Sequence, residues 1–241
     1  MIERDPVAPL GPDRVRRLCD RATGIGSDGV LEIVSIDGDR ASVTIWNPDG
    51  SVAEMSGNGV RIAAAWLARR VGAHEVSIVT GGRSIHARMV GDDEVEIDVG
   101  EVEVGGDETL EVESETVGFT PVSVGNPHAV VRYDRATRDD LLRLAPTLET
   151  HRRFPHRTNV QLVEPVGGNE LRVLVWERGA GETRSSGSSA TAAAAVAVAR
   201  GWCVSPVTVH LPGGDLVVTL AGASARLLGP VEVICTGQTE L

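Results

Sequence analysis

The sequence predicts an α+β protein of two pseudo-twofold-related lobes, each a mixed or antiparallel sheet wrapped round a central helix, with a ligand cleft between the lobes. Three observations carry this expectation. The landmarks Val30, Trp46 and Ser56-Gly57 recur as Val160, Trp176 and Ser186-Gly187, each 130 positions on, and a repeat of that length means one architecture built twice. Runs of period two bounded by glycine turns dominate both halves. Each Ser-Gly pair opens an alanine-rich stretch long enough for one helix.

Along the chain, RVRRLCDRA reads as a first helix with Cys19 as a core thiol. Val30-Leu-Glu-Ile-Val and ASVTIW, ending at Trp46, form a hairpin about Gly38. Asn47 follows, and nine positions later Ser56-Gly57 introduce a helix expected over Asn58–Val71 and stopped by Gly72. SIVTGGRSIHARM is a second hairpin about Gly81-Gly82, and DVGEVEV closes the lobe through Gly100. The acidic stretch Glu101–Glu115 reads as a solvated crossover with an edge strand, and 110–116 as the place for a hinge.

The second half repeats the plan. Val160-Gln-Leu-Val, a GGN turn and LRVLVW, ending at Trp176, precede Glu177 and then Ser186-Gly187. A helix is expected over Ser188–Arg200 with Gly201 as its stop. VTVHLPGGDLVVTL and GPVEVI then match the first-half hairpin and closing strand at offsets of 132 and 129. The expected division is an N-terminal lobe of 1–112 with a returning 226–241, and a C-terminal lobe of 113–225.

Composition excludes several functions. With 241 residues, 41% of them hydrophobic, the chain can bury a sizeable core. A formal charge of −11 sets it against phosphate backbones and anionic lipid. MIERDPVAPLGPDR has no apolar signal region, and the apolar run Ala190–Ala199 falls short of the roughly 18 residues of a spanning helix, so a cytoplasmic protein without nucleic-acid or membrane partners is expected. All 23 basic residues are arginines. The lack of lysine removes both the Schiff base of pyridoxal-phosphate enzymes and the lysine of a P-loop. Cys19, Cys203, Cys235 and the six histidines show no metal-ligand spacing, so neither metal nor cofactor is expected.

The chemistry is expected at the two helix starts, SGNG at 56–59 and SGSS at 186–189. Unpaired first-turn amides and the positive end of the helix dipole suit a carboxylate and charge developing beside it. For either helix alone, ordinary N-capping by serine explains the pattern. Duplication changes the reading, because a pseudo-twofold delivers Ser56 and Ser186 to opposite faces of one ligand. That is the geometry of two-base stereoinversion, in which one group removes a proton and the other returns one on the opposite face.

NPDGSVAEMSGNGVR (47–61), SVGNPHAV (123–130), RTNVQLVEP (157–165) and VWERGAGETRSSGSS (175–189) resemble signature segments of the diaminopimelate epimerases. The resemblance implies a cofactor-independent isomerase interconverting LL- and meso-diaminopimelate in lysine biosynthesis. It places the family's two catalytic cysteines at Ser56 and Ser186. It carries over Asn47, Asn126 and Asn159 as substrate contacts, Glu177 with Arg178 as the grip on the distal amino-acid head, and the amides of Gly57, Asn58, Gly187 and Ser188 as the carboxylate cradle. His128 is either a site wall or a hydrogen-bonded structural histidine. An adjacent anion and fork-shaped cation at 177–178 suits a zwitterionic head on its own chemistry, and a surface ion pair is the alternative. A homodimer is expected.

Two features depart from the family. A thiol costs roughly 2 kcal/mol to deprotonate at pH 7, whereas an alcohol costs about 12. A helix dipole offers at most about 2. Rescue of a serine requires a neighbouring base, for which Glu54, Glu182 and His128 are the local candidates. The family's opening strand, with its substrate asparagine, is expected to be missing, since the chain starts near PDRVRRLC. Three readings stay open: a chain whose two cysteines have been replaced, a homologue that only binds, and an isomerase or dehydratase of another amino acid. Glu177 and Arg178 speak against the last, because a proline-like substrate has no distal head.

Overall fold

A computed structural model describes residues 1–3, 10–53, 55–112 and 115–239. The chain divides into two compact units, Met1–Asp98 with Pro230–Leu241, and Val99–Gly229. The expected division at 112/113 thus falls inside the second unit.

The first unit begins with β1 (Ile2–Glu3) and α1 (Pro12–Cys19). Proline at the first helical position needs no N–H there, and Val15, Leu18 and Cys19 turn inward onto Val30, so Cys19 is a core thiol. There follow β2 (Val30–Asp37), β3 (Arg40–Trp46), β4 (Val52–Ala53), α2 (Gly57–Val71), β5 (Glu75–Thr80), β6 (Arg83–Val90) and β7 (Glu94–Glu101), whose last residues pass the division. β2 pairs antiparallel with β3, β3 parallel with β5, and β5–β6–β7 form a meander. α2 packs on β3, β5 and β6 through Ala63, Ala64, Leu67 and Ala68. It ends at Gly72, whose φ of 69° lies in the left-handed region that a side chain disfavours.

The second unit holds β8 (Glu103–Val104), β9 (Glu108–Val112), β10 (Glu115–Ser123), β11 (Pro127–Arg132), α3 (Arg138–Glu149), β12 (Asn159–Gly167), β13 (Glu170–Glu177), β14 (Gly181–Thr183), α4 (Gly187–Ala199), β15 (Val207–Leu211), β16 (Gly214–Ala221) and β17 (Ser224–Pro230). α4 is apolar on every side and buried from Ser189 to Ala197, the pattern of a helix enclosed by sheet. Alanine is the reason it fits, because strands can approach its backbone closely from several directions. α3 closes a second core with Leu141, Leu144 and Leu148 against Phe119 and Phe154, whose rings meet edge-on at 5.6 Å. The acidic crossover contains β8, β9 and the start of β10, and two of its carboxylates are paired: Asp107 with Arg200, Glu108 with Arg153.

The element order β2–β3–β4–α2–β5–β6–β7 recurs as β12–β13–β14–α4–β15–β16–β17, and the registers agree. Val30 lies opposite Trp46 as Val160 lies opposite Trp176. The agreement also corrects one expectation. β1 runs parallel to β2 with Ile2 opposite Glu32, as β11 runs parallel to β12 with Val131 opposite Leu162. An opening strand is therefore present as two residues, the equivalents of Val131 and Arg132.

Candidate functional site

Each unit holds one of the two Ser-Gly helix starts, and they differ in detail. In the first, Ser56 is the N-cap of α2 with extended backbone, and its Oγ accepts from the Gly59 N–H at 3.1 Å. The N–H groups of Gly57 and Asn58 have no acceptor within the helix by its geometry. Asn58 Oδ1 accepts from Arg61 Nη2 at 2.9 Å. Asn47, next to the β3 end, sits in a tight turn. Its N–H donates to Ser51 O at 2.8 Å and its Nδ2 to Ser51 Oγ at 2.9 Å.

In the second unit, Ser186 caps α4 with the same backbone (φ −144°, ψ 121°), but its side chain does not cap. The hydroxyl instead donates to Glu177 Oε2 at 3.1 Å and is 5% exposed. β13 delivers Glu177 from its last position, nine residues before Ser186, so strand end and helix start meet. Glu177 is thus the carboxylate at Ser186. Glu182, one of the candidate bases, is held by both nitrogens of an Arg138 fork at 2.7–3.0 Å and points to that pair. Glu54 lies outside the described residues.

His128 is the third candidate base, and its surroundings rule it out of that role. It is fully buried, its Nε2–H donates to Asn126 Oδ1 at 2.9 Å, and its Nδ1 accepts from Gln161 Nε2 at 3.0 Å. Burial, with a smaller contribution from Arg178, holds its pKa down at about 3. The imidazole is neutral and fixes the Asn126 amide so that its NH2 is turned away from the ring. Gln161 passes the chain of hydrogen bonds on to Ser189 Oγ at 3.0 Å, in the first turn of α4.

Asn159 and Glu149 shape the loop that carries Arg178. Asn159 Oδ1 accepts from the Arg178 N–H at 3.0 Å while its Nδ2 donates to Pro127 O at 2.8 Å, tying the loop to the strand that bears His128. Glu149, buried at the end of α3, accepts from Trp176 Nε1 at 2.7 Å and Gly179 N–H at 2.9 Å. The Arg178 backbone is therefore fixed while its side chain stands exposed.

The structure thus brings together Ser186 with Glu177, Asn126 with His128, and Asn159 with the Arg178 backbone. Asn47 and Ser56 stand at opposite ends of the β3–α2 connection, and Gly57, Gly187 and Ser188 contribute first-turn amides. Glu149, Gln161, Ser189 and Arg61 did not emerge from the sequence. For Gln161 a signal existed, since an amide in the apolar run Val160-Gln-Leu-Val must find buried partners.

Comparison with known proteins agrees with these segments. A family model for diaminopimelate epimerase matches residues 2–105 and 120–234. A diaminopimelate epimerase from Alkalilimnicola ehrlichii is 37% identical over 258 residues, covering 99% of this chain and 92% of that protein. One from Corynebacterium glutamicum is 34% identical, with coverage of 99% and 92%. Among solved structures, a phenazine biosynthesis protein of the PhzF family from Bacillus anthracis is similar at a TM-score of 0.69 and 12% identity, covering 92% of this chain and 88% of that one. A hydroxyproline epimerase from Agrobacterium vitis is similar at 0.61 and 18%, covering 90% and 77%. The structural likenesses speak for the mixed α+β fold alone. The identity held over nearly full length, together with a family model spanning both repeats, shows that the chain belongs to the diaminopimelate epimerase family.

Proposed function

We propose that the chain binds an amino acid of the diaminopimelate class and keeps the frame of a cofactor-independent two-base epimerase, with proton transfer strongly reduced. In this reading the starts of α2 and α4 are the two poles of a two-base reaction, one removing the α-proton and the other returning one, as the family resemblance implies. The reacting carboxylate takes the amides of Gly57, Asn58, Gly187 and Ser188. Asn47, Asn126, Asn159, Glu177 and Arg178 hold the remaining polar groups, the distal head above all. The family's place for such a reaction is the supply of meso-diaminopimelate and lysine.

The observation that carries the reading is that both helix starts are retained with serine N-caps where the family has thiols. Ser56 Oγ is engaged with its own helix. Ser186 can pass its proton to Glu177 as it takes one from a substrate carbon, which avoids a free alkoxide on that face only. Inversion needs an effective group on each face, so this arrangement supports at most one-sided exchange.

Two measurements test the reading. Saturating meso-diaminopimelate at about 100 times Kd is expected to raise stability by roughly 2.7 kcal/mol, seen as a melting shift. Exchange of the α-proton in D2O is expected to be slow or absent, with no inversion. Full epimerisation by the serine form refutes the claim of reduced transfer, and the lack of any melting shift refutes the site.

A further inference from the structure

Arg61 is out of place by the rules of a helix core. It lies in α2 one turn beyond the start and is only 4% exposed. The helix around it buries Val60, Ala64, Ala65 and Ala68. Its Nη2 turns back to donate to Asn58 Oδ1 at 2.9 Å, while Nε and Nη1 are buried and have no hydrogen-bond partner among the described residues. Desolvation lowers its pKa to about 10, which leaves it charged at neutral pH. A buried, uncompensated guanidinium destabilises a fold, and an apolar side chain of similar volume is often the more stable choice. Stability therefore does not explain the residue.

The guanidinium does two things to the first turn of α2. It holds the Asn58 amide by its oxygen, which leaves the Nδ2 hydrogens turned away from the guanidinium and free for another acceptor. It also places a full positive charge behind the partial charge of the helix start, in a medium where charge is poorly screened. We propose that Arg61 is a positioning residue for carboxylate recognition: through Asn58 and its own charge it turns the start of α2 into an anion site that a substrate carboxylate completes. This inference rests on the reading of α2 as part of the carboxylate cradle.

The test uses the whole chain, meso-diaminopimelate as ligand, and Arg61→Met, Arg61→Gln and Arg61→Lys. Melting without ligand and Kd by calorimetry are measured for each. Arg61→Met is expected to melt at or above the parent temperature and to bind roughly 10- to 150-fold more weakly, the range of a lost charge-assisted hydrogen bond. Arg61→Lys is expected to recover part of that loss. A merely structural arginine would do the reverse, with a lower melting temperature and an unchanged Kd, and that result overturns the proposal. Should Arg61→Met fail to fold, Arg61→Gln, which still reaches Asn58 without charge, decides: weakening of about tenfold or more supports the proposal, and parental affinity overturns it. A parent chain that binds no diaminopimelate brings down the underlying reading, whereas a parent that binds and variants that match it bring down this inference alone.

Discussion

Replacing both serines, Ser56→Cys and Ser186→Cys, should create proton exchange where the parent has little. The magnitude follows from acidity. Deprotonation at pH 7 costs about 12 kcal/mol for an alcohol and roughly 2 for a thiol, a gap of about 10. If only half of that gap is felt in the transition state, it is worth between three and four orders of magnitude in rate, roughly 1.4 kcal/mol per tenfold. The structure also assigns the two thiols different parts. A thiol at 186 would face the Glu177 carboxylate that now accepts from Ser186 Oγ at 3.1 Å, and a like charge there keeps it protonated. A thiol at 56 would inherit the Gly59 N–H at the helix start, which favours thiolate. Ser56→Cys alone should therefore restore more exchange than Ser186→Cys alone, and only the double variant should invert configuration. The assay is loss of the α-proton signal of LL- and meso-diaminopimelate in D2O, with chiral analysis of the recovered amino acid. Equal exchange by parent and double variant would refute the acidity argument. A double variant that binds the ligand but exchanges nothing would refute the two-base reading of these positions.

Three further outcomes are expected. His128 has a folded pKa of about 3, below its unfolded value near 6.5, so the stability it contributes is present above pH 6.5 and lost as pH falls toward 3. Urea titrations at pH 7 and pH 5 should differ by about 2 kcal/mol more in the parent than in His128→Gln. Glu149→Ala strands the Trp176 indole and the Gly179 N–H, each bonded to a buried carboxylate, and should cost about 3 kcal/mol in urea unfolding, with a shift in tryptophan fluorescence. Thr137→Ala removes the Oγ1 that accepts from the Asp140 N–H at 3.2 Å in the capping box of α3, and should cost about 1 kcal/mol by thermal melting.

Local pattern alone located much of this molecule. α2 was expected from Asn58 and starts at Gly57; α4 was expected from Ser188 and starts at Gly187. The Val-to-Trp spacing marked both ladders because a hairpin fixes register by turn length. α3 was missed although Leu141, Leu144 and Leu148 keep helical spacing, since Pro146 interrupts the pattern and the cap uses Asp140. A proline is tolerated there because it removes a single intrahelical bond near the end of a short helix. β11 was missed because six residues with a buried histidine carry no clean alternation.

What the sequence by itself determined was the duplicated plan, the two serine-headed helix starts and the family segments, all of which depend on spacing along the chain. Only the tertiary structure decided the partners of the polar groups. Among the described residues Glu177, and neither Glu182 nor His128, meets Ser186, because the end of β13 and the start of α4 are neighbours in space and nine residues apart in sequence. His128 became a neutral, buried link and not a base, because burial penalises its charge and Asn126 and Gln161 fill both ring nitrogens. Arg61 looked like one arginine among many until its burial left two donors unmet among the described residues. Hydrogen-bond pairing and desolvation depend on which elements pack together, and that information lies in three-dimensional contact rather than in the order of residues.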